Sequence, residues 1–249
     1  MIVHEDETPL YTVIVPAFNE EALLPACLEA LRRSMDAVSH PGEIIVVDNN
    51  SRDRTAEIAR EGGARVVFEP FNQISRARNA GARAARGRYL LFVDADTFMN
   101  GPLLGAAIEA MNSGGWCGGG ATVTFDRPLN LFNRKLLGLW RAISRNFSLA
   151  AGCCIFCRAD AFTEVGGFSE DVYASEEIWF SWRIRRWGRR HGKPFRIIPS
   201  PMIETSGRKT ESITRLILVL LTFLCFPFAA RFRATSWFWY NRADFPKAR

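Results

Sequence analysis

Four times in its first hundred residues the 249-residue chain repeats one pattern: a short apolar run stops abruptly in polar residues. Tyr11-Thr-Val-Ile-Val15 is closed by Pro16, and Ala17-Phe18-Asn19 turns after it. Glu43-Ile-Ile-Val-Val47 ends in Asp48-Asn49-Asn50-Ser51, and Arg65-Val-Val-Phe68 is a third run. Leu90 to Val93 stops at Asp94-Ala95-Asp96, and Asn100-Gly101-Pro102 opens the next element. Such runs, unbroken by polar residues, suit strands covered on both faces. Between them, Leu24, Cys27, Leu28 and Leu31 recur at helical spacing, with Asn19 as candidate N-cap and Glu20 and Glu21 in the first turn. A second helix starts near Asp53 and breaks at Gly62-Gly63, and a small-residue helix covers roughly Ser75 to Ala85. Strands and helices alternating over short connections predict an α/β fold with a mainly parallel central sheet flanked by helices.

In such sheets ligands lie beyond the carboxyl ends of the strands. Three polar strand ends therefore set the candidate site: Pro16 to Glu20, Asp48 to Ser51, and Asp94 to Asp96. The first turn has no glycine, which argues against a dinucleotide fingerprint or a P-loop. Phosphate here would be held by metal and side chains. Asp94 and Asp96 offer hard oxygen ligands to a divalent cation that keeps its other positions for water and phosphate. The plainer reading is that both acids solvate a loop or cap the next helix.

Beyond residue 100 the spacing predicts a helix through Ile108 and Met111 ending at Gly114-Gly115, and a strand over Gly118 to Phe125. It continues with a basic helix over Leu129 to Phe147, a strand over Gly152 to Phe156, a short helix over Arg158 to Glu164 and a Gly166-Gly167-Phe168 loop. A helix then starts at Ser175, with Glu176 and Glu177 in its first turn, and runs to Trp187-Gly188. Acids at a helix N-terminus can serve the dipole alone.

The net charge of +6 suits anionic ligands or a membrane surface and does not imply nucleic acid. A nucleic-acid role would need aromatics interleaved with an exposed basic stripe, whereas Trp182 and Trp187 are expected to pack inward. Arg183, Arg185, Arg186, Arg189 and Arg190 could face anionic headgroups or simply solvent. Met1 to Thr8 is polar and acidic, unlike an export signal, so a cytoplasmic protein with reduced thiols is expected. Cys153-Cys154-x-x-Cys157 lacks a fourth zinc ligand nearby and sits in an apolar run. Leu216 to Ala230 is almost wholly apolar, too short to span a bilayer and interrupted by Pro227. With Trp237-Phe-Trp-Tyr240 and Arg231, Arg233 and Arg242, it predicts a C-terminal amphipathic or apolar helix making a peripheral membrane contact over 216–242, or packing on a partner or the core.

Taken together, six segments resemble the inverting family 2 glycosyltransferases of GT-A fold. They are Val13-Ile-Val-Pro-Ala-Phe-Asn-Glu-Glu21, Ile45-Val-Val-Asp-Asn-Asn-Ser-Arg-Asp-Arg-Thr55, Ala77-Arg-Asn-Ala-Gly81, Phe92-Val-Asp-Ala-Asp-Thr97, Val165-Gly-Gly-Phe168 and Glu176-Glu-Ile-Trp-Phe-Ser-Trp-Arg183. The resemblance implies a Rossmann-like nucleotide-sugar half over 1–100, an acceptor and catalytic half over 101–210, and a tail over 211–249. It implies transfer from a nucleoside-diphosphate sugar to an acceptor hydroxyl. Pro16, Phe18 and Glu20 would line the nucleoside pocket, Asp48 would bind base or ribose, and Arg78, in competition with Arg76, would be a further nucleotide contact. Asp94, Ala95 and Asp96 would form the diphosphate motif, with Asp94 and Asp96 holding Mg2+ or Mn2+. The base position falls on Glu177, where the family's usual residue is Asp, with Glu176 as the alternative. No histidine lies in Met202 to Lys209 to supply a further ligand, and Arg208 and Lys209 could neutralise the diphosphate instead. The rival readings are a sugar-phosphate nucleotidyltransferase, whose glycine-rich first turn is missing, and a non-catalytic nucleotide-sugar-binding or membrane scaffold protein.

Overall fold

The structure is a computed structural model that describes residues 8–113, 115–173 and 175–207. The expected tail helix, Arg208 and Lys209 lie outside the described residues. The chain runs β1 (Tyr11–Ala17), α1 (Leu24–Asp36), β2 (Gly42–Asp48), α2 (Thr55–Glu61), β3 (Arg65–Phe68), α3 (Ile74–Ala84), β4 (Tyr89–Val93) and β5 (Thr97–Phe98). It continues with α4 (Gly101–Asn112), β6 (Gly118–Phe125), α5 (Leu131–Phe147), β7 (Cys154–Arg158), α6 (Ala159–Glu164), α7 (Glu176–Arg190) and β8 (Phe195–Thr205).

Among the described residues, eight strands join one sheet in the order β3-β2-β1-β4-β7-β6-β8-β5. The first four strands pair in parallel, with Val13 of β1 in register with Ile44 of β2 and Leu91 of β4. β7 then joins β4 antiparallel, and β6 pairs antiparallel to β7 and parallel to β8. The sheet is thus parallel through β1 to β4 and mixed beyond them.

Successive strand residues face opposite sides, and each side has its own core. Val13, Val15, Val46, Leu91 and Val93 pack with Leu24, Leu28 and Leu31 of α1 and with Leu103, Leu104 and Ile108 of α4. Ile14, Ile45, Val47, Leu90 and Phe92 pack with Ala77 and Ala80 of α3, and with Phe180, Ile184 and Trp187 of α7. Cys154 belongs to the first core and Cys157 to the second. Three residues apart on a strand, they point to opposite faces and cannot share one ion.

The start of α1 differs from the sequence expectation. Glu20 and Glu21 precede the helix, which begins at Leu24 with Pro25 in its first turn. Asn19 is not its cap but adopts a left-handed conformation with φ of 52°, and its Oδ1 accepts from Arg52 N–H. Asparagine tolerates that conformation because its short side chain bonds locally. The Asn100 expectation holds: its side chain accepts from Leu103 N–H at 2.9 Å and opens α4.

Candidate functional site

Three loops at the carboxyl ends of β1, β2 and β4, together with the first turn of α7, build the site. The first two loops are tied by local hydrogen bonds. Glu20 N–H donates to Thr55 Oγ1 at 2.8 Å, Asn19 N–H to Ser51 Oγ at 3.0 Å, and Ser51 N–H to Asp48 Oδ1 at 2.9 Å. Asp48 and Glu20 are buried, while Pro16 and Phe18 are half-buried. Asn49 extends the frame, donating to the Glu69 and Phe71 carbonyls and accepting from Gln73 N–H. Gln73 in turn donates to the carbonyls of Glu170 and Val172. The loops after β1 and β2 are thereby linked to the segment that leads into α7.

Asp94, Ala95 and Asp96 form the turn between β4 and β5. Asp96 is buried, and its carbonyl accepts from Ser206 N–H at 2.9 Å, so the end of β8 returns to this turn. Thr97 and Thr205 close the same junction through their hydroxyls at 2.9 Å. Asp94 keeps 21% of its side chain exposed.

Arg78 ties the two carboxylate sets together. Its side chain is 1% exposed, and its guanidinium donates to Asp94 Oδ1 at 3.1 Å, to Glu176 Oε1 at 2.7 Å and to the Gly152 carbonyl at 2.8 Å. Burial alone would disfavour its charge, but Asp94, Glu176 and Glu177 hold it protonated. Arg78, expected from the resemblance to contact the nucleotide, is in this structure a buried link between the end of β4, the start of α7 and Gly152. Arg76 instead pairs with Glu170 at 3.3 Å.

The neighbours of Arg78 explain the Ala77-Arg-Asn-Ala-Gly81 segment. Asn79 Nδ2 donates to the Phe168 carbonyl at 2.9 Å, and its Oδ1 accepts from Phe168 N–H at 2.9 Å, fixing the Gly166-Gly167-Phe168 loop. Gly81 faces the sheet so closely that a Cβ would stand 2.3 Å from Ile14 Cγ2. One helix thus reaches the site, the loop and the sheet with three residues of a single turn, Arg78, Asn79 and Gly81.

Glu176 and Glu177 occupy the first turn of α7, behind Ser175 in a left-handed conformation. Burial raises the Glu176 carboxyl above its ordinary range, although Arg78 pulls the other way. The Glu177 carboxyl is pushed up to about 8, first by burial and then by the charge of Glu176. A Cβ on Gly152 would lie 3.2 Å from the Arg78 guanidinium and 3.8 Å from Glu177 Cδ, so the bare glycine leaves room for this cluster. Neither Asn79 nor Gly152 was singled out from the sequence as a site residue. Asn79 belongs to the Ala77-Arg-Asn-Ala-Gly81 segment, whereas nothing local marks Gly152, whose place depends on β7 lying beside β4.

Two other expectations change. Trp182 does not pack inward but is 55% exposed, because the buried stripe of α7 runs through Phe180, Ile184 and Trp187. Arg183 does not face outward; it donates to the Val165 and Gly167 carbonyls at 2.9 and 2.6 Å.

Asp94 and Asp96 as a pair fit a divalent cation, since both are carboxylates in one turn and such an ion can take its remaining ligands from diphosphate and water. Among the described residues no three His, Cys, Asp or Glu side chains gather to hold an ion without those ligands.

With this geometry in view, comparison with known proteins is specific. Residues 12–166 match the glycosyl transferase family 2, and the chain belongs to that family. The uncharacterised glycosyltransferase EpsJ of Bacillus subtilis is 37% identical over 98 residues, which cover 37% of this chain and 27% of EpsJ. Glycosyltransferase AglE of Haloferax volcanii is 27% identical over 182 residues, covering 68% of this chain and 59% of AglE. The matches thus span about a quarter to three fifths of these relatives. Among solved structures, Staphylococcus aureus TarS 1-349 in complex with UDP-GlcNAc superposes with a TM-score of 0.59 at 18% identity, covering 79% of this chain and 58% of that one. Glucosyl-3-phosphoglycerate synthase of Mycobacterium tuberculosis, in complex with Mn2+, UDP and glucosyl-3-phosphoglycerate, gives 0.56 at 18% identity over 86% and 79%. The fold is that of the GT-A glycosyltransferases.

Proposed function

We propose that the protein transfers a sugar from a nucleoside-diphosphate sugar to an acceptor hydroxyl with inversion. The observation that carries this reading is the Arg78 bridge, whose one guanidinium pairs with Asp94 at the end of β4 and with Glu176 in the first turn of α7. Pro16, Phe18, Glu20 and Asp48, at the ends of β1 and β2, take the nucleoside. A Mg2+ or Mn2+ held by Asp94 and Asp96 would supply Lewis-acid stabilisation of the leaving diphosphate. Relatives at this distance in sequence have been seen with Mn2+, including a mannosyltransferase of Pyrobaculum calidifontis in complex with GDP-Man and Mn2+.

Glu177 is the base. It accepts the proton of the acceptor hydroxyl as that oxygen forms its bond to the anomeric carbon. The bond from the anomeric carbon to the diphosphate oxygen breaks, and its electron pair leaves with the nucleoside diphosphate. A single displacement of this kind inverts the anomeric centre. A carboxylate raised to about 8 is a stronger proton acceptor than an ordinary glutamate, which suits a hydroxyl nucleophile. Arg78 holds Glu176, so that glutamate is committed to its ion pair and Glu177 is left for the proton.

Calorimetry with a panel of nucleotide sugars, with and without Mn2+ or Mg2+, tests the donor side. Binding should need the cation and weaken in Asp96→Ala; binding indifferent to both removes the metal role. Transfer in Glu177→Gln should fall about 10²–10⁴-fold, the usual contribution of a general base, with donor affinity retained. Wild-type turnover in that variant removes Glu177 as base.

A further inference from the structure

The faces of α5 and α7 that the sheet does not cover share an unusual composition. From Arg127 to Arg158 the sequence has no acidic residue, and neither has Ile178 to Arg190. In α5 the only buried residue is Ser144, although the helix carries Leu131, Phe132, Leu139 and Phe147, all exposed. Its charges are Arg134, Lys135, Arg141 and Arg145, all basic. On α7, Trp179, Trp182, Arg186 and Arg189 recur at three and four residues and form one exposed stripe. Arg185, with Trp182, Arg186 and Arg189, lines an open cleft of about 310 Å³.

The two helices are joined. The Arg185 guanidinium donates to the Phe147 carbonyl at the end of α5, which brings the aromatic end of one helix beside the arginine stripe of the other. Arg141 anchors α5 to the sheet by donating to the Val123 carbonyl at 3.0 and 2.7 Å. Among the described residues, Arg185, Arg186 and Arg189 form no salt bridge with a carboxylate, in contrast to Arg54 with Glu57 on α2.

Scattered exposed apolar residues need no explanation, but an apolar and aromatic patch rimmed by one sign of charge does. Tryptophan and arginine together with exposed leucine and phenylalanine are the composition of a surface seated at an anionic headgroup layer, where aromatic rings sit at the boundary and cations meet lipid phosphates. We propose that the α5–α7 face docks on an anionic lipid bilayer. Glu177 precedes Trp182 by five residues on the same helix, about 8 Å along its axis, so docking places the carboxylate cluster close to the headgroups.

Sedimentation of the full chain with phosphatidylcholine vesicles, with and without phosphatidylglycerol, tests the docking without reference to catalysis. Binding should appear with phosphatidylglycerol and weaken with added salt. Arg186→Gln/Arg189→Gln should lower it roughly twenty-five-fold, from about fivefold for each arginine lost near such a surface. Phe132→Ser/Leu139→Ser should lower it as well, while Arg33→Gln/Arg60→Gln on α1 and α2 should leave it unchanged. Circular dichroism and donor calorimetry on each variant separate loss of docking from loss of fold or of the donor site. No binding by the wild-type chain, equal binding to neutral vesicles, or unchanged binding in both α5–α7 variants overturns the proposal.

Discussion

Arg78 is the residue on which the site depends. It is fully buried among Asp94, Glu176 and Glu177, and removing one partner of a buried ion pair leaves the others uncompensated. Arg78→Ala should destabilise the protein by about 3–5 kcal/mol, measured by denaturant unfolding. Arg78→Lys keeps the charge but presents a compact ammonium in place of a fork, so it cannot reach Asp94, Glu176 and Gly152 together. Its stability should recover in part while kcat stays low, a split that distinguishes positioning from bulk electrostatics. For Glu177 the expected signature is a pH profile. As the base it must be ionised, so kcat/KM should rise with pH toward a limb near 8, and this limb should vanish in Glu177→Gln.

At the scale of elements, α3 is the piece whose sequence reads most directly. Its small residues permit an approach that a larger side chain would block. Gly81→Ala would bring a Cβ to 2.3 Å from Ile14 Cγ2 and 2.9 Å from Val47 Cγ2, both on rigid strands. The expected cost is about 1–3 kcal/mol of overpacking, read as a lowered denaturation midpoint. Because Arg78 and Asn79 ride on the same helix, donor affinity should fall with it. Most element positions were readable from periodicity and punctuation: β6 spans Gly118–Phe125, and α2, α4 and α6 begin and end within a few residues of their turn and cap signals. The misreadings arise where a local signal competes with long-range contact. Asn19 looks like a cap, yet its side chain serves Arg52, thirty-three residues away. Trp182 looks like core, yet α7 is rotated so that Phe180 and Ile184 fill the second core instead.

For the whole molecule, the raised carboxyls make stability depend on pH in a defined direction. An unfolded glutamate ionises near 4.5, whereas folded Glu177 holds its proton to about 8. Below 4.5 both states are protonated and the contribution is complete. As pH rises from 4.5 to 8 the unfolded state releases its proton first, so the contribution falls through that window. Glu176 is shifted in the same direction and adds the same sign. Thermal unfolding should therefore show Tm declining from pH 5 to 8 from this cluster, and Glu177→Gln should flatten part of that slope.

Runs of alternating strands and helices fix an α/β sheet locally, since side-chain period and turn residues depend only on near neighbours. The same holds for the strand-end position of Asp48, Asp94 and Asp96, and for the start of α7 at Glu176 and Glu177. Strand order is another matter: β7 inserting antiparallel beside β4 is a pairing between segments some sixty residues apart, specified by packing on both faces. That insertion brings Gly152 to Arg78, and burial together with the charge of Glu176 lifts Glu177 to about 8. Burial and the distance between charges are properties of the assembled chain, and they govern the chemistry of carboxylates that the sequence places but cannot tune.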